Sequence, residues 1–93
     1  MSNVMEATDR IQELYRSSKL TPINIEESLY VLNLGYEDSD LQHIRYLQDK
    51  IETPEITKAE RLELEQLVRL GTILSTLQSR ARIALRQAGV TKP

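Results

Sequence analysis

The sequence lacks cysteine altogether, and aromatic residues make up only 4% of it. Without cysteine there is neither a disulfide framework nor thiol chemistry, which fits a reducing compartment. No apolar run approaches the roughly 20 residues that a membrane span requires, and the N-terminal segment lacks the apolar stretch of a signal peptide. We therefore expect a cytoplasmic protein that has no membrane partner.

The residue patterns of common catalytic and metal sites are also missing. The only histidine, His43, has no cysteine or second histidine beside it, so it is a weak metal ligand candidate. No serine lies in a Gly-x-Ser-x-Gly turn, and no glycine-rich phosphate loop is present. The acidic group Glu37, Asp38 and Asp40 lacks the twelve-residue spacing of a calcium loop. The sequence predicts no enzymatic activity, no cofactor and no metal.

Charge is distributed unevenly along the chain. The net charge is −2, but residues 67–93 contain five basic residues and no acidic one, whereas residues 1–66 contain fourteen acidic and seven basic residues. Within the basic segment, the candidate interaction residues are Arg80, Arg82 and Arg86. Cations at this place either stabilise a helix C-terminus or contact an acidic partner or phosphates. The low isoelectric point of 5.4 argues against broad nucleic-acid binding.

The pattern of apolar residues predicts an all-α fold, a small helical bundle or helical hairpin in a single domain of 93 residues. A first helix is predicted over about residues 3–18, and we expect residues 1–22 to be mobile because few large apolar groups anchor them. Its apolar face consists of Val4, Ala7, Ile11 and Leu14.

Two short helices are predicted between residues 24 and 51. The first begins at the N-cap Asn24 and runs to about Leu34, with Gly35 as a left-handed C-terminal residue. Its apolar stripe consists of Ile25, Leu29 and Leu32. The second covers about Asp38 to Ile51, and its apolar face consists of Leu41, Ile44, Leu47 and Ile51.

A long helix is predicted from Thr57 to Ala88. Thr57 and Glu60 form a capping-box pattern, no proline follows within the helix, and Gly89 ends it. Its length is about 46 Å at 1.5 Å per residue. Gly71 inside this helix marks either a close crossing with another element or a tolerated defect.

Apolar residues along the long helix recur at the spacing of a heptad repeat, as in a coiled coil. The seam consists of Leu67, Leu70, Leu74, Leu77, Ala81, Ala84 and Ala88, widened by Leu64, Val68, Ile73, Ile83 and Leu85. The seam packs either against the two short helices of the same chain or against a second copy. Because those helices are about half as long, we expect a homodimer, with Leu67, Leu70, Leu74, Leu77, Ala81 and Ala84 as candidate oligomer-seam residues.

Two segments together resemble a family of small all-helical bacterial proteins of unknown function. One is the run Leu32-Asn33-Leu34-Gly35-Tyr36 before acidic residues; the other extends from Thr57-x-x-Glu60 through Val68-Arg69-x-Gly71 to Gln78-Ser79-Arg80-Ala81-Arg82. The resemblance covers about residues 24–86 and departs from the pattern at Glu37, where serine is frequent. It implies genes beside HNH-type nucleases and an antitoxin-like role, but it carries no catalytic residue.

The sequence thus favours a non-catalytic protein-interaction module, an antitoxin-like or regulatory partner of a nuclease. Two alternatives remain: a small dimeric DNA-binding regulator and a structural coiled-coil adaptor. An acidic protein surface and a phosphate backbone require similar arginines, so the sequence does not separate the first reading from the second.

Overall fold

The computed structural model describes residues 3–89, and the regular elements within them are five helices. These are α1 (Asn3–Glu6), α2 (Thr8–Ser17), α3 (Ile25–Leu32), α4 (Asp38–Glu52) and α5 (Lys58–Gln87). The predicted all-α bundle with a long C-terminal helix is confirmed. The first predicted helix is interrupted at Ala7, whose N–H bonds the Val4 carbonyl, three rather than four residues back.

Local capping residues set the ends of α3 and α5. The Asn24 side chain accepts the Glu27 N–H at 2.8 Å, and Glu27 returns a bond to the Asn24 N–H. Thr57 and Glu60 make the same reciprocal pair, at 3.1 and 3.0 Å, at the start of α5. Gly89 follows α5 with a φ of +74°, a left-handed conformation that glycine adopts without strain. The predicted limits of the long helix are confirmed.

The helices α2, α3 and α4 pack along α5, and α1 contacts α2. Ser18, after α2, contacts Arg80, and Met5 of α1 lines a groove with Gln66, so α1 and α2 run in the same direction as α5. The helices α3 and α4 succeed each other along α5 in the opposite direction. The chain therefore has the elongated dimensions of 50 × 28 × 21 Å that its longest helix imposes.

The heptad seam of α5 is covered by helices of the same chain. Leu67, Leu70, Leu74, Leu77 and Ala81 are buried, Ala84 is half-buried and Ala88 is exposed. Val4, Ile11 and Leu14 of the N-terminal helices belong to the same cluster, whereas the sequence had offered only the two short helices or a second copy as cover for the seam. Within the described part of the chain, these leucines are buried in the core of the single chain.

The predicted apolar stripe of α3 is wrong. Ser28 and Val31 are fully buried, whereas Ile25 and Leu29 are exposed and Leu32 is half-buried. Apolar residues occur on most sides of this short helix, so their spacing does not identify the inner side. The Ser28 hydroxyl is buried without a hydrogen-bond partner among the described residues.

The end of α3 also differs from the prediction. Gly35 does not adopt the left-handed conformation, and α3 already ends at Leu32. Instead, the Gln78 side-chain amide of α5 donates to the carbonyls of Val31 and Leu34, at 3.0 and 2.9 Å. The Val31 carbonyl also accepts the Leu34 N–H at 3.2 Å, so the Gln78 side chain adds to a backbone bond there and supplies a donor to the Leu34 carbonyl.

Gly71 lies where another element crosses α5 closely. A Cβ atom at Gly71 would lie 3.1 Å from the Cε2 atom of Tyr36. The Tyr36 hydroxyl donates to the Leu67 carbonyl at 2.5 Å, which holds the ring in this place. Burial, and secondly the charge of Asp40, raise the pKa of Tyr36. Of the two readings of Gly71, the structure supports the close crossing.

Candidate protein-interaction surface

Arg82 and Arg86 are exposed on one side of α5, one helical turn apart. Neither forms an ion pair with another described residue. Arg80, the third predicted interaction residue, is half-buried and makes contacts within the chain. Its guanidinium donates to the Ser18 hydroxyl at 2.6 Å and lies 5.4 Å from the centre of the Tyr15 ring. Arg80 therefore links the C-terminal end of α2 to α5. Of the three predicted arginines, only Arg82 and Arg86 remain exposed and without an ion pair among the described residues.

Packing brings two further cations to the same end of the molecule. Because α2 runs parallel to α5 and Ser18 contacts Arg80, Arg16 and Lys19 lie toward the same end of the molecule as Arg80. The Lys19 Nζ atom is 4.6 Å from the centre of the Tyr15 ring, and Arg16 lines a depression with Arg69 and Thr72. We call Arg16, Lys19, Arg80, Arg82 and Arg86 the basic end. None of them has a carboxylate partner among the described residues. Lys92, counted with this segment in the sequence, lies outside the described residues.

No sequence pattern indicates that Arg16 and Lys19 belong to this cluster. They are separated from Arg82 by more than sixty positions, and only the parallel docking of α2 on α5 brings them together. Local spacing does not encode the direction in which two helices pack. The only available indication was the presence of cations at the end of the first predicted helix. Such cations are equally typical of an ordinary helix C-terminus, so they do not identify a cluster.

Exposed apolar side chains accompany the cations. Leu20, in the connection between α2 and α3, is 90% exposed, and Ile83 is exposed between Arg82 and Arg86 along the chain. Pro22 and Ile23 line a shallow depression next to Ile83. Exposed apolar groups beside arginines are more typical of a protein-binding surface than of a surface that only keeps a protein soluble.

A second apolar surface lies at the opposite end, on the hairpin of α4 and α5. Leu47 of α4 is fully buried against Leu64 and Leu67, but Leu41 and Ile51 are 44% and 43% exposed. The predicted inner face of α4 is thus only partly covered. Together with half-buried Ile44 and exposed Val68 of α5, Leu41 and Ile51 form what we call the apolar strip.

Polar contacts hold the other flank of the same hairpin. Lys50 and Glu60 form a 2.6 Å ion pair, and His43 lies 3.1 Å from Glu63. The hydrogen bond from Lys50 is the largest cause that lowers the pKa of Glu60, and the bond to Glu60 likewise raises the pKa of Lys50. These contacts lie on one flank of the buried Leu47, and the opposite flank of α4 stays uncovered.

A groove between α2 and α5 has a volume of about 350 Å³ and a mixed lining that includes Met5, Gln12, Gln66 and Arg69. Within residues 3–89, no group of three His, Cys, Asp or Glu side chains is placed to hold a metal ion. Among the described helices, none has the length and apolar composition needed to cross a membrane.

The chain matches no protein-family model, no curated protein and no solved structure.

Proposed function

We propose that this chain is a non-catalytic protein-interaction module whose basic end binds an acidic surface of a partner protein. The observation that carries the proposal is the set of five cations at one end of the molecule, none of which has a carboxylate partner among the described residues. Four intrachain ion pairs form elsewhere on the described surface. Arg45, Lys58, Arg61 and Arg69 also lack an ion-pair partner among the described residues, so the basic end is distinguished by the number of cations gathered there.

A protein partner explains this surface better than duplex DNA does. Arg80 is engaged with Ser18 and Tyr15, so few arginines remain to displace counterions from phosphates. The acidic residues 1–66 would repel the same duplex at distances that salt only partly screens. The exposed Leu20 and Ile83 fit an apolar protein contact, whereas a phosphate backbone offers them little.

The family resemblance supplies the candidate partner. It implies that an HNH-type nuclease is the cognate protein and that the chain acts as an antitoxin-like or regulatory subunit. Co-expression with the product of a neighbouring nuclease gene, followed by co-purification, tests this part of the proposal directly.

The preference for acidic protein over DNA is tested by titrating the isotope-labelled chain in an NMR experiment. The probes are a synthetic glutamate-rich peptide and a random duplex, both at about 0.15 M salt. We expect the peptide to shift amide signals around Arg82 and Arg86 and the double variant Arg82→Gln, Arg86→Gln to lose these shifts. Glutamine keeps the helix while it removes the charge.

A matched control replaces Arg61, an exposed arginine of α5 near the other end, with glutamine. This variant should respond to the peptide as the wild type does. Tight binding of the wild type to the duplex, lost in the double variant, would contradict the proposal and favour the DNA-binding regulator instead.

A further inference from the structure

We propose that one side of α5 together with the apolar strip docks a single amphipathic helix of the partner, acidic in its N-terminal half and apolar in its C-terminal half. This inference rests on the proposed function and specifies the form of the partner. Its basis is that the apolar strip and the arginine pair lie on the same side of the molecule.

The contacts of α4 show where the strip lies. His43 and Lys50 contact Glu63 and Glu60 on one flank of the buried Leu47. At about 100° per residue, Leu41, Ile44 and Ile51 fall on the other flank. The N-terminal helix α1 contributes Met5 to the groove on the Glu63 side. The strip therefore lies on the side of the α4–α5 hairpin that faces away from α1 and α2.

The same side of α5 continues from Val68 to the arginines. At about 100° per residue, an angular sector of roughly 60° contains Val68 and the residues that follow it on this side. They are Ser75, Ser79, Arg82 and Arg86, all exposed. Val68 and Arg82 are about 21 Å apart along the helix axis. Because the intervening serines are short, they leave a helix room to approach from the strip to the arginines.

Charge determines the direction of the docked helix. Glutamates are most favourable in the first turns of a helix, where they also offset its dipole. An acidic N-terminal half at Arg82 and Arg86 makes the partner helix antiparallel to α5. Its apolar C-terminal half then covers Val68 and the α4 residues of the strip. Each apolar side chain that it buries there contributes favourably to binding.

A second copy of this chain suits the surface less well. If two copies of α5 lie antiparallel along this side with their midpoints aligned, Arg61 of one copy comes near Arg86 of the other, and like charges oppose the contact. The distribution of charge therefore favours a partner helix with its own acidic end.

The test uses a synthetic helix of about 20 residues, with glutamates in its first half and leucines at every third and fourth position of its second half. A peptide in which the two halves are exchanged serves as a control. We expect Val68→Glu to weaken binding of the first peptide at least about tenfold. Leu62→Glu should leave this binding unchanged, because Leu62 is also exposed on α5 but lies on another side.

A nitroxide at the N-terminus of the peptide should broaden the amide signals near Arg86. If Val68→Glu binds as the wild type does while Arg82→Gln, Arg86→Gln loses affinity, the helix-docking inference is wrong and the proposed function stands. If the double arginine variant retains full affinity, the acidic-partner proposal itself is wrong. If the peptide with exchanged halves binds as tightly as the first peptide, the antiparallel direction of the docked helix is wrong. A wild-type dimer that Val68→Glu converts to a monomer in sedimentation identifies a second copy as the occupant and overturns the inference.

Discussion

A single side chain, Gln78, bonds two carbonyls at the end of α3. Replacing its amide with a carboxylate should reveal how much these bonds contribute to stability. In Gln78→Glu the amide that donates to Val31 and Leu34 becomes a carboxylate, which repels both carbonyls. Loss of the two bonds to partly buried groups should lower the free energy of unfolding by about 2–3 kcal/mol. Urea denaturation followed by circular dichroism measures this loss.

Gln42→Glu is the matched control, since Gln42 is exposed on α4 and forms none of the tertiary hydrogen bonds described here. This variant should stay within about 0.5 kcal/mol of the wild type. Equal stability of the two variants would show that water, and not Gln78, satisfies the end of α3.

At the scale of the elements, an ion pair between Lys50 and Glu60 joins α4 to α5. The stability of this hairpin should therefore decrease in acid. The pKa of Glu60 lies below its ordinary value of 4.5, so its charged form stabilises the fold above pH 4.5, and this contribution disappears as the pH falls through the lowered pKa. Glu60→Gln retains a capping-box side chain but not the charge. The variant should therefore be less stable than the wild type at neutral pH, and the difference should shrink below pH 4.5.

Urea midpoints at about pH 7 and pH 3 measure this difference. Glu65→Gln serves as the control, because Glu65 is exposed on α5 and has no ion pair among the described residues. A difference between wild type and Glu60→Gln that is the same at both pH values would show that the Lys50 contact adds nothing to stability.

The elements also show what the sequence could and could not predict. Capping residues such as Asn24, Thr57 and Gly89 act within a few positions of the chain, so the ends of α5 and the start of α3 were predicted correctly. The inner side of α3 and the cluster of Arg16 with Arg80 depend on which helix packs where and in which direction. The apolar residues of α5 predict a covered side, but they do not name the helix that covers it.

At the scale of the whole molecule, the core consists of two clusters of unequal size. The smaller contains Leu47, Leu64 and Leu67, and Tyr36 packs against both. We expect native-state hydrogen exchange to show that α4 opens at a lower free energy than α3 and the second half of α5. Leu47→Ala, which costs about 2–5 kcal/mol of local packing, should reduce protection in α4 most strongly.

Leu77→Ala provides the comparison, because Leu77 is equally buried but belongs to the larger cluster. That variant should reduce protection throughout α2, α3 and α5. If Leu47→Ala lowers protection evenly over all helices, the molecule unfolds as one unit and the division into two clusters has no energetic meaning.

Because α2, α3 and α4 pack on α5, the order of synthesis delays folding of the whole molecule. The ribosome releases α1 to α4 before α5, and these helices form no extensive contact among themselves apart from that between the successive α1 and α2. At usual translation rates the thirty residues of α5 take on the order of seconds to make. During that time the residues that later form the core, Ile11 and Val31 among them, are without their main packing surface. A nascent chain arrested before Leu77 should therefore remain sensitive to protease.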